Sequence, residues 1–172
     1  IDTVVISLLV NESGVGWYAV TDRLIGTFLF VPTIFLSAIF PALSRMFVNE
    51  RDSMSRLIGK SFDMMVLIAI PVGLGVFLIA GPLVQLLFGQ EFARSGPILA
   101  LRGVVTIFTY LNMLVGMFLI STDRQNAWTV VLAVATIATI PLDILFVPWC
   151  ERVLGNGAMG GALSYLVTEA LM

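Results

Sequence analysis

The sequence contains no histidine, and Cys150 is its single cysteine. One thiol cannot close an intrachain disulfide, and a chain without imidazole lacks the usual ligands of zinc and haem. The usual general base of hydrolases and acyltransferases is missing with it. Charge is also scarce: Asp, Glu, Lys and Arg make up 12% of the 172 residues, and a formal net charge of −2 offers nucleic acid no basic surface. No glycine-rich phosphate loop of the G-x-x-x-x-G-K-S/T pattern occurs. No catalytic constellation stands out, no cofactor or metal is expected, and the chemistry left over suits transport or packing better than bond making. The chain therefore reads as a non-enzyme.

What the sequence has is apolar length. Hydrophobic residues supply 59% of it, far more than the interior of a soluble domain this size could hold. Inside a bilayer the backbone must satisfy its own N–H and C=O groups, which selects helices of about 20 apolar residues. The sequence predicts an all-α, polytopic transmembrane bundle of about six helices, at 1–10, 15–43, 61–88, 97–120, 127–148 and 157–172. Asn11-Glu12-Ser13-Gly14 reads as the first turn, and Trp17 and Tyr18 after it suit a membrane interface. Pro32 and Pro41 predict a kink or late break in the second helix, and Pro71, Gly73, Gly75, Gly81 and Pro82 interrupt the third. The 44–60 stretch is the most polar part of the chain. Phe47, Met54, Leu57, Ile58 and Ser61 fall near one face of it, the pattern of an amphipathic helix lying on the inner leaflet against membrane lipid. Both ends of the sequence lie within apolar runs, so a piece of a larger polytopic protein is expected.

Cations set the orientation. Numbering the connections alternately places Arg45, Arg51, Arg56, Lys60 and Arg124 on one side, predicted cytoplasmic, and Arg94 and Arg152 on the other.

Each charge at a helix centre costs roughly 2.5–3.5 kcal/mol on insertion scales and calls for a partner or a function. Asp2, Asp22, Arg23, Asp63, Arg102, Asp143 and Glu169 are the cases here. Asp63, beside Lys60, reads as a solvated helix-end charge. With a rise of 1.5 Å per residue, Asp2 and Glu169 lie roughly 12 and 18 Å from their outer turns, closest to the midplane. Hairpin geometry makes Asp2 level with Arg23, and Arg102 level with a position within one turn of Asp143. Asp22 and Arg23, adjacent in sequence, point to different sides of their helix. Two readings stand side by side. In one, these couples are structural ion pairs that let the bundle insert. In the other, Arg23 and Arg102 face a hydrated cavity that receives an anionic headgroup, and acids among Asp2, Asp22, Asp143 and Glu169 bind a coupling cation, Na+ or H+.

Particular strings carry a resemblance. The succession Ile1-Asp2-Thr3-Val4-Val5-Ile6, Val15-Gly16-Trp17-Tyr18-Ala19-Val20-Thr21-Asp22-Arg23-Leu24 and Ala38-Ile39-Phe40-Pro41-Ala42-Leu43-Ser44-Arg45 resembles the second half of polysaccharide flippases. Leu86-Leu87-Phe88-Gly89-Gln90-Glu91-Phe92, Leu119-Ile120-Ser121-Thr122-Asp123-Arg124-Gln125-Asn126 and Leu154-Gly155-Asn156-Gly157-Ala158-Met159-Gly160-Gly161-Ala162-Leu163 follow in the same order, so the resemblance covers the whole chain. These are lipid-carrier exporters of the multidrug/oligosaccharidyl-lipid/polysaccharide superfamily, with a MATE-like fold. The resemblance implies one lobe, the C-terminal one, of a two-lobe transporter of 12 to 14 helices working by alternating access. The implied substrate is an undecaprenyl-diphosphate-linked oligosaccharide turned across the bacterial cytoplasmic membrane. The family's charged central cavity carries over to Arg23 and, less directly, Arg102. Asp143 departs from the pattern, standing where an Asn-like polar residue is expected. The Tyr-Ala-x-x-Asp-Arg-Leu stretch at 18–24 and the segment from Phe40 to Arg45 also resemble lipid II flippases, and drug/cation antiporters form a third branch. From other classes, a membrane-bound envelope transferase and a noncatalytic membrane subunit remain open. Against the transferase, the sequence has neither an H-x-x-x-x-D motif nor a D-x-D pair near an inner interface.

Overall fold

In a computed structural model, which describes residues 2–10, 12–49 and 51–172 with the side chains of 2–4, 48, 49 and 51 left aside, the apolar stretches are α-helices. They are α1 (Asp2–Leu9), α2 (Glu12–Phe28), α3 (Phe30–Asn49), α4 (Arg51–Phe88), α5 (Ser95–Ser121), α6 (Gln125–Leu154) and α7 (Ala158–Leu171), with one 3-10 turn at Gln90–Phe92. No strand occurs among the described residues. The stretches Glu12–Phe47, Asp52–Phe88, Ser95–Ser121 and Gln125–Leu154 are each long and apolar enough to cross a membrane. The 8 residues of α1 and 14 of α7 rise about 12 and 21 Å, less than a hydrocarbon core of about 30 Å. Leu67, Leu78, Leu86 and Ile137 turn outward from the bundle, an arrangement that water would penalise and acyl chains do not.

Two boundaries differ from the sequence reading. The 15–43 run is two helices meeting at Leu29, and the polar 44–60 stretch is no separate surface helix. Its first part belongs to the end of α3 and its last ten residues are the opening turns of α4. At 38 residues, α4 rises about 57 Å, so those polar turns reach well beyond the span that hydrocarbon needs. The break near Leu29 has a chemical cause. Pro32 has no N–H to give to the carbonyl of Phe28 four residues back. The hydroxyl of Tyr110 on α5 donates to that carbonyl instead, at 2.6 Å. Leu29 and Thr33 keep their own i→i−4 bonds across the junction.

The centre of the bundle is α5, which packs against α2, α3, α4, α6 and α7. Its closest partner is α4, and glycine on both helices permits the approach. A Cβ on Gly73 would meet the Gly103 carbonyl at 2.7 Å, and one on Gly103 would meet the Gly73 carbonyl at 2.8 Å. A second close crossing joins α6 to α7, where a Cβ on Gly160 would lie 2.5 Å from the Phe146 carbonyl oxygen and the Val147 Cα. Small residues let backbones approach where lipid supplies no hydrophobic drive for association. At one end of the bundle, Gly155 closes α6 in the left-handed conformation (φ 61°), and its carbonyl accepts a 2.8 Å bond from Arg94. Arg94 also lies over the Trp17 ring, so that α2, α5 and the α6–α7 turn meet at one cation.

Candidate functional site

Most polar side chains in this bundle bond to their own helix, as Thr21, Thr106, Thr139 and Ser164 do. Arg102 does not. It sits on the second turn of α5, facing α2 and α7, and is only 8% exposed. One of its terminal nitrogens donates to the hydroxyl of Tyr18 and the other pairs with Asp22. Tyr18 and Asp22 are four residues apart, hence stacked on one face of α2. The guanidinium carbon also lies 5.0 Å from the ring centroids of Tyr18 and Tyr165. Arg102 is therefore an aromatic-flanked cation whose charge is answered by one carboxylate. Cation–π contacts and charge-assisted hydrogen bonds both strengthen as water is excluded. The Nε–H of Arg102 is buried without a hydrogen-bond partner.

From Tyr165 the polar groups continue along α5. The Tyr165 hydroxyl lies beside Glu169 and Thr109. Asn112 donates to both the carboxylate and the carbonyl of Glu169, at 2.6 and 2.8 Å. Thr139 and Thr168 share a 3.0 Å hydroxyl contact between α6 and α7. A cavity of about 270 Å³ opens here, with Thr136, Thr139, Tyr165, Thr168 and Glu169 in its wall. Tyr165 thus belongs to two assemblies, the sandwich on Arg102 and the wall of this cavity.

The charges singled out in the sequence divide as follows. Arg102, Asp22 and Glu169 come together through Tyr165. The acid that answers Arg102 is Asp22 of α2, where the α5–α6 hairpin had pointed to Asp143. Asp143 is fully buried on α6. The α6–α7 register, with Val147 against Gly160 and Thr139 against Thr168, sets Asp143 level with Ser164. Arg23 is exposed on α2, next to Asp22 in sequence and so about 100° around the helix from it. The side chain of Asp2 lies outside the described residues, and so does the Asp2–Arg23 couple. Tyr18, read from sequence as an interfacial aromatic, is 1% exposed and part of the Arg102 cluster. Tyr165 and Asn112 went unnoticed in the sequence. The i,i+4 spacing of Tyr165 and Glu169 on one apolar helix was the available signal. Among the described residues no group of three or more potential metal ligands forms.

Comparison with known proteins agrees with this picture of a multi-pass membrane protein. The chain is 21% identical over 171 residues to a probable low-salt glycan biosynthesis flippase, Agl15, of Haloferax volcanii; the match takes in 99% of the chain and 36% of that relative. No solved structure matches. Residues 1–97, more than half of the chain, match the family described as polysaccharide biosynthesis protein, and the chain belongs to that family.

Proposed function

We propose that the chain is part of a flippase that turns a lipid-linked oligosaccharide across a prokaryotic cytoplasmic membrane by alternating access, without catalysing bond formation. The observation that carries this reading is a guanidinium buried in a membrane-spanning bundle of this family, held by Asp22, Tyr18 and Tyr165. The printed function of the Haloferax relative, glycan biosynthesis flipping, supports the same class. A carrier lipid joined to its sugar through a diphosphate presents two negative charges that hydrocarbon cannot solvate. Arg23, exposed, meets that diphosphate first; Arg102, buried behind Asp22, adds a second positive charge. Glu169, in the wall of the α6–α7 cavity, is the leading acid for a coupling Na+ or H+, with Asp2, Asp22 and Asp143 as further members of that set. An undecaprenyl carrier and a bacterial membrane are the specific form of this proposal, although the relative above is archaeal.

The test is accumulation of lipid-linked sugar in a deletion strain complemented with the full-length gene. Substrate builds up on the cytoplasmic leaflet without the gene, and Arg23→Ala and Arg102→Ala reproduce that build-up. Normal export in the deletion strain would remove the proposal. Full activity of an Asp22→Asn, Arg102→Gln double variant would reduce the Arg102 cluster to a structural pair.

A further inference from the structure

At the end of the bundle remote from Arg94, a second cavity of about 500 Å³ lies between the last turn of α3, the first turns of α4 and the α5–α6 turn. It goes beyond the transport reading and does not depend on it. Its floor is apolar: Phe47, Met54, Ile58 and Phe118 line it. Its remaining wall is polar, formed by Ser55, Thr122 and Arg124. The turn that carries Arg124 is tightly fixed. Asp123 takes a left-handed conformation (φ 57°), and the Arg124 N–H bonds to the Leu119 carbonyl at 2.8 Å. Thr122 is likewise fixed, its hydroxyl donating to carbonyls of Phe118 and Leu119. Arg124 thus stands on a fixed backbone turn at the rim of an apolar concavity.

The depth of the cavity decides what fills it. Ile58 lies within one turn of Lys60 and Ser61, where the polar opening of α4 gives way to its apolar run. This is the level at which phospholipid headgroups sit. Arg56 and Lys60 are exposed in the same turns of α4 but on the face turned from the cavity, so Arg124 is the cation that lines it among the described residues. A soluble phosphate would use Arg124 but gain nothing from Phe47, Met54, Ile58 and Phe118. A zwitterionic lipid would use the floor but gain less from the rim. We infer that this cavity holds an anionic phospholipid of the surrounding membrane, its phosphate at Arg124 and the start of an acyl chain along the Phe47–Phe118 floor. Basic pockets between helices near the membrane surface select acidic headgroups on these grounds.

The test uses the full-length protein purified in a mild detergent. Phosphatidylglycerol and phosphatidylcholine with identical chains are offered in equal amounts and the bound lipid is read by native mass spectrometry. Several-fold preference for phosphatidylglycerol is expected, unchanged by excess inorganic phosphate and reduced to the phosphatidylcholine level in Arg124→Gln. A photoactivatable phosphatidylglycerol is expected to label wild-type peptides containing Met54–Ile58 or Phe118–Arg124, which makes the result independent of how the variant folds. Equal retention of the two lipids, displacement by phosphate, or labelling confined to other peptides would each overturn the inference.

Discussion

The hydroxyl of Tyr110 donates at 2.6 Å to the carbonyl of Phe28, the one acceptor in α2 that Pro32 leaves without its helical donor. A side chain on α5 thus completes the backbone of a helix 82 positions earlier in the chain. The junction between α2 and α3 is accordingly pinned rather than loose.

Removing that donor tests the relationship. Tyr110→Phe should lower stability by roughly 1–3 kcal/mol, the cost of leaving a buried polar group unmade. Pro32→Ala returns an N–H to position 32, so the cost of Tyr110→Phe should shrink in the Pro32→Ala background. A double-mutant cycle on thermal unfolding in detergent measures the coupling; additive effects would mean that the Pro32 vacancy and the Tyr110 bond are unrelated.

The Arg102 cluster separates positioning from charge. Arg102→Ala removes the cation paired with Asp22 and opens space between the rings of Tyr18 and Tyr165. Loss of a buried partner costs roughly 3–5 kcal/mol, and the 38% exposure of the Asp22 side chain brings the expected loss nearer 1–3. Arg102→Lys keeps the charge but cannot serve Tyr18 and Asp22 together with a planar fork, so it should recover stability only partly. In the flipping assay, each lost charge-assisted hydrogen bond to substrate is worth roughly 1.5–3 kcal/mol, about tenfold to a hundredfold in rate. Unimpaired flipping by Arg102→Lys alongside a failed Arg102→Ala would assign the position to charge alone.

The helix crossings should be intolerant of even one carbon. Gly160→Ala directs a methyl against the Phe146 carbonyl and the Val147 Cα, atoms of a backbone that has no rotamer to change. Overpacking of this kind costs roughly 1–3 kcal/mol. Gly75→Ala on α4, where a Cβ meets nothing within 4 Å, serves as the matched control and should be neutral or slightly stabilising. Equal melting temperatures for the two variants would refute the crossing.

Orientation is open to a labelling experiment. Because Cys150 is fully buried, it should contribute little background. Single cysteines at Arg56 and Arg124 should react with an impermeant maleimide only from the cytoplasmic side, and those at Arg94 and Arg152 only from the opposite side. Reaction of all four from one face would break the expected topology, and reaction of each pair from the face opposite to that expected would invert it.

The bundle itself was legible because lipid solvation leaves the backbone so few choices: apolar length alone announces helices. Family membership was legible in the order of weakly patterned strings. The Arg102 partner was not. Depth matching compares neighbouring helices in a hairpin, and α5 draws its acid from α2, with α3 and α4 between them in the chain. Nothing in the periodicity of α5 says which of its many neighbours will present a carboxylate. Tyr18 misled for a related reason. An aromatic near a helix start looks interfacial, and only its four-residue spacing from Asp22 hinted that both face a buried cation. The fate of 44–60 was missed because polar composition resembles a connector even when helix geometry simply runs on through it.

The reciprocal fit of Gly73 and Gly103 also limits how this part of the molecule can work. Two backbones in such contact cannot slide or pivot independently without collision, so α4 and α5 travel as a single plank. Because α5 is seated against most of the remaining helices, the plank carries them along. A motion of this part of the molecule relative to its surroundings therefore falls at the outer boundary of these helices, with the α4–α5 contact unaltered.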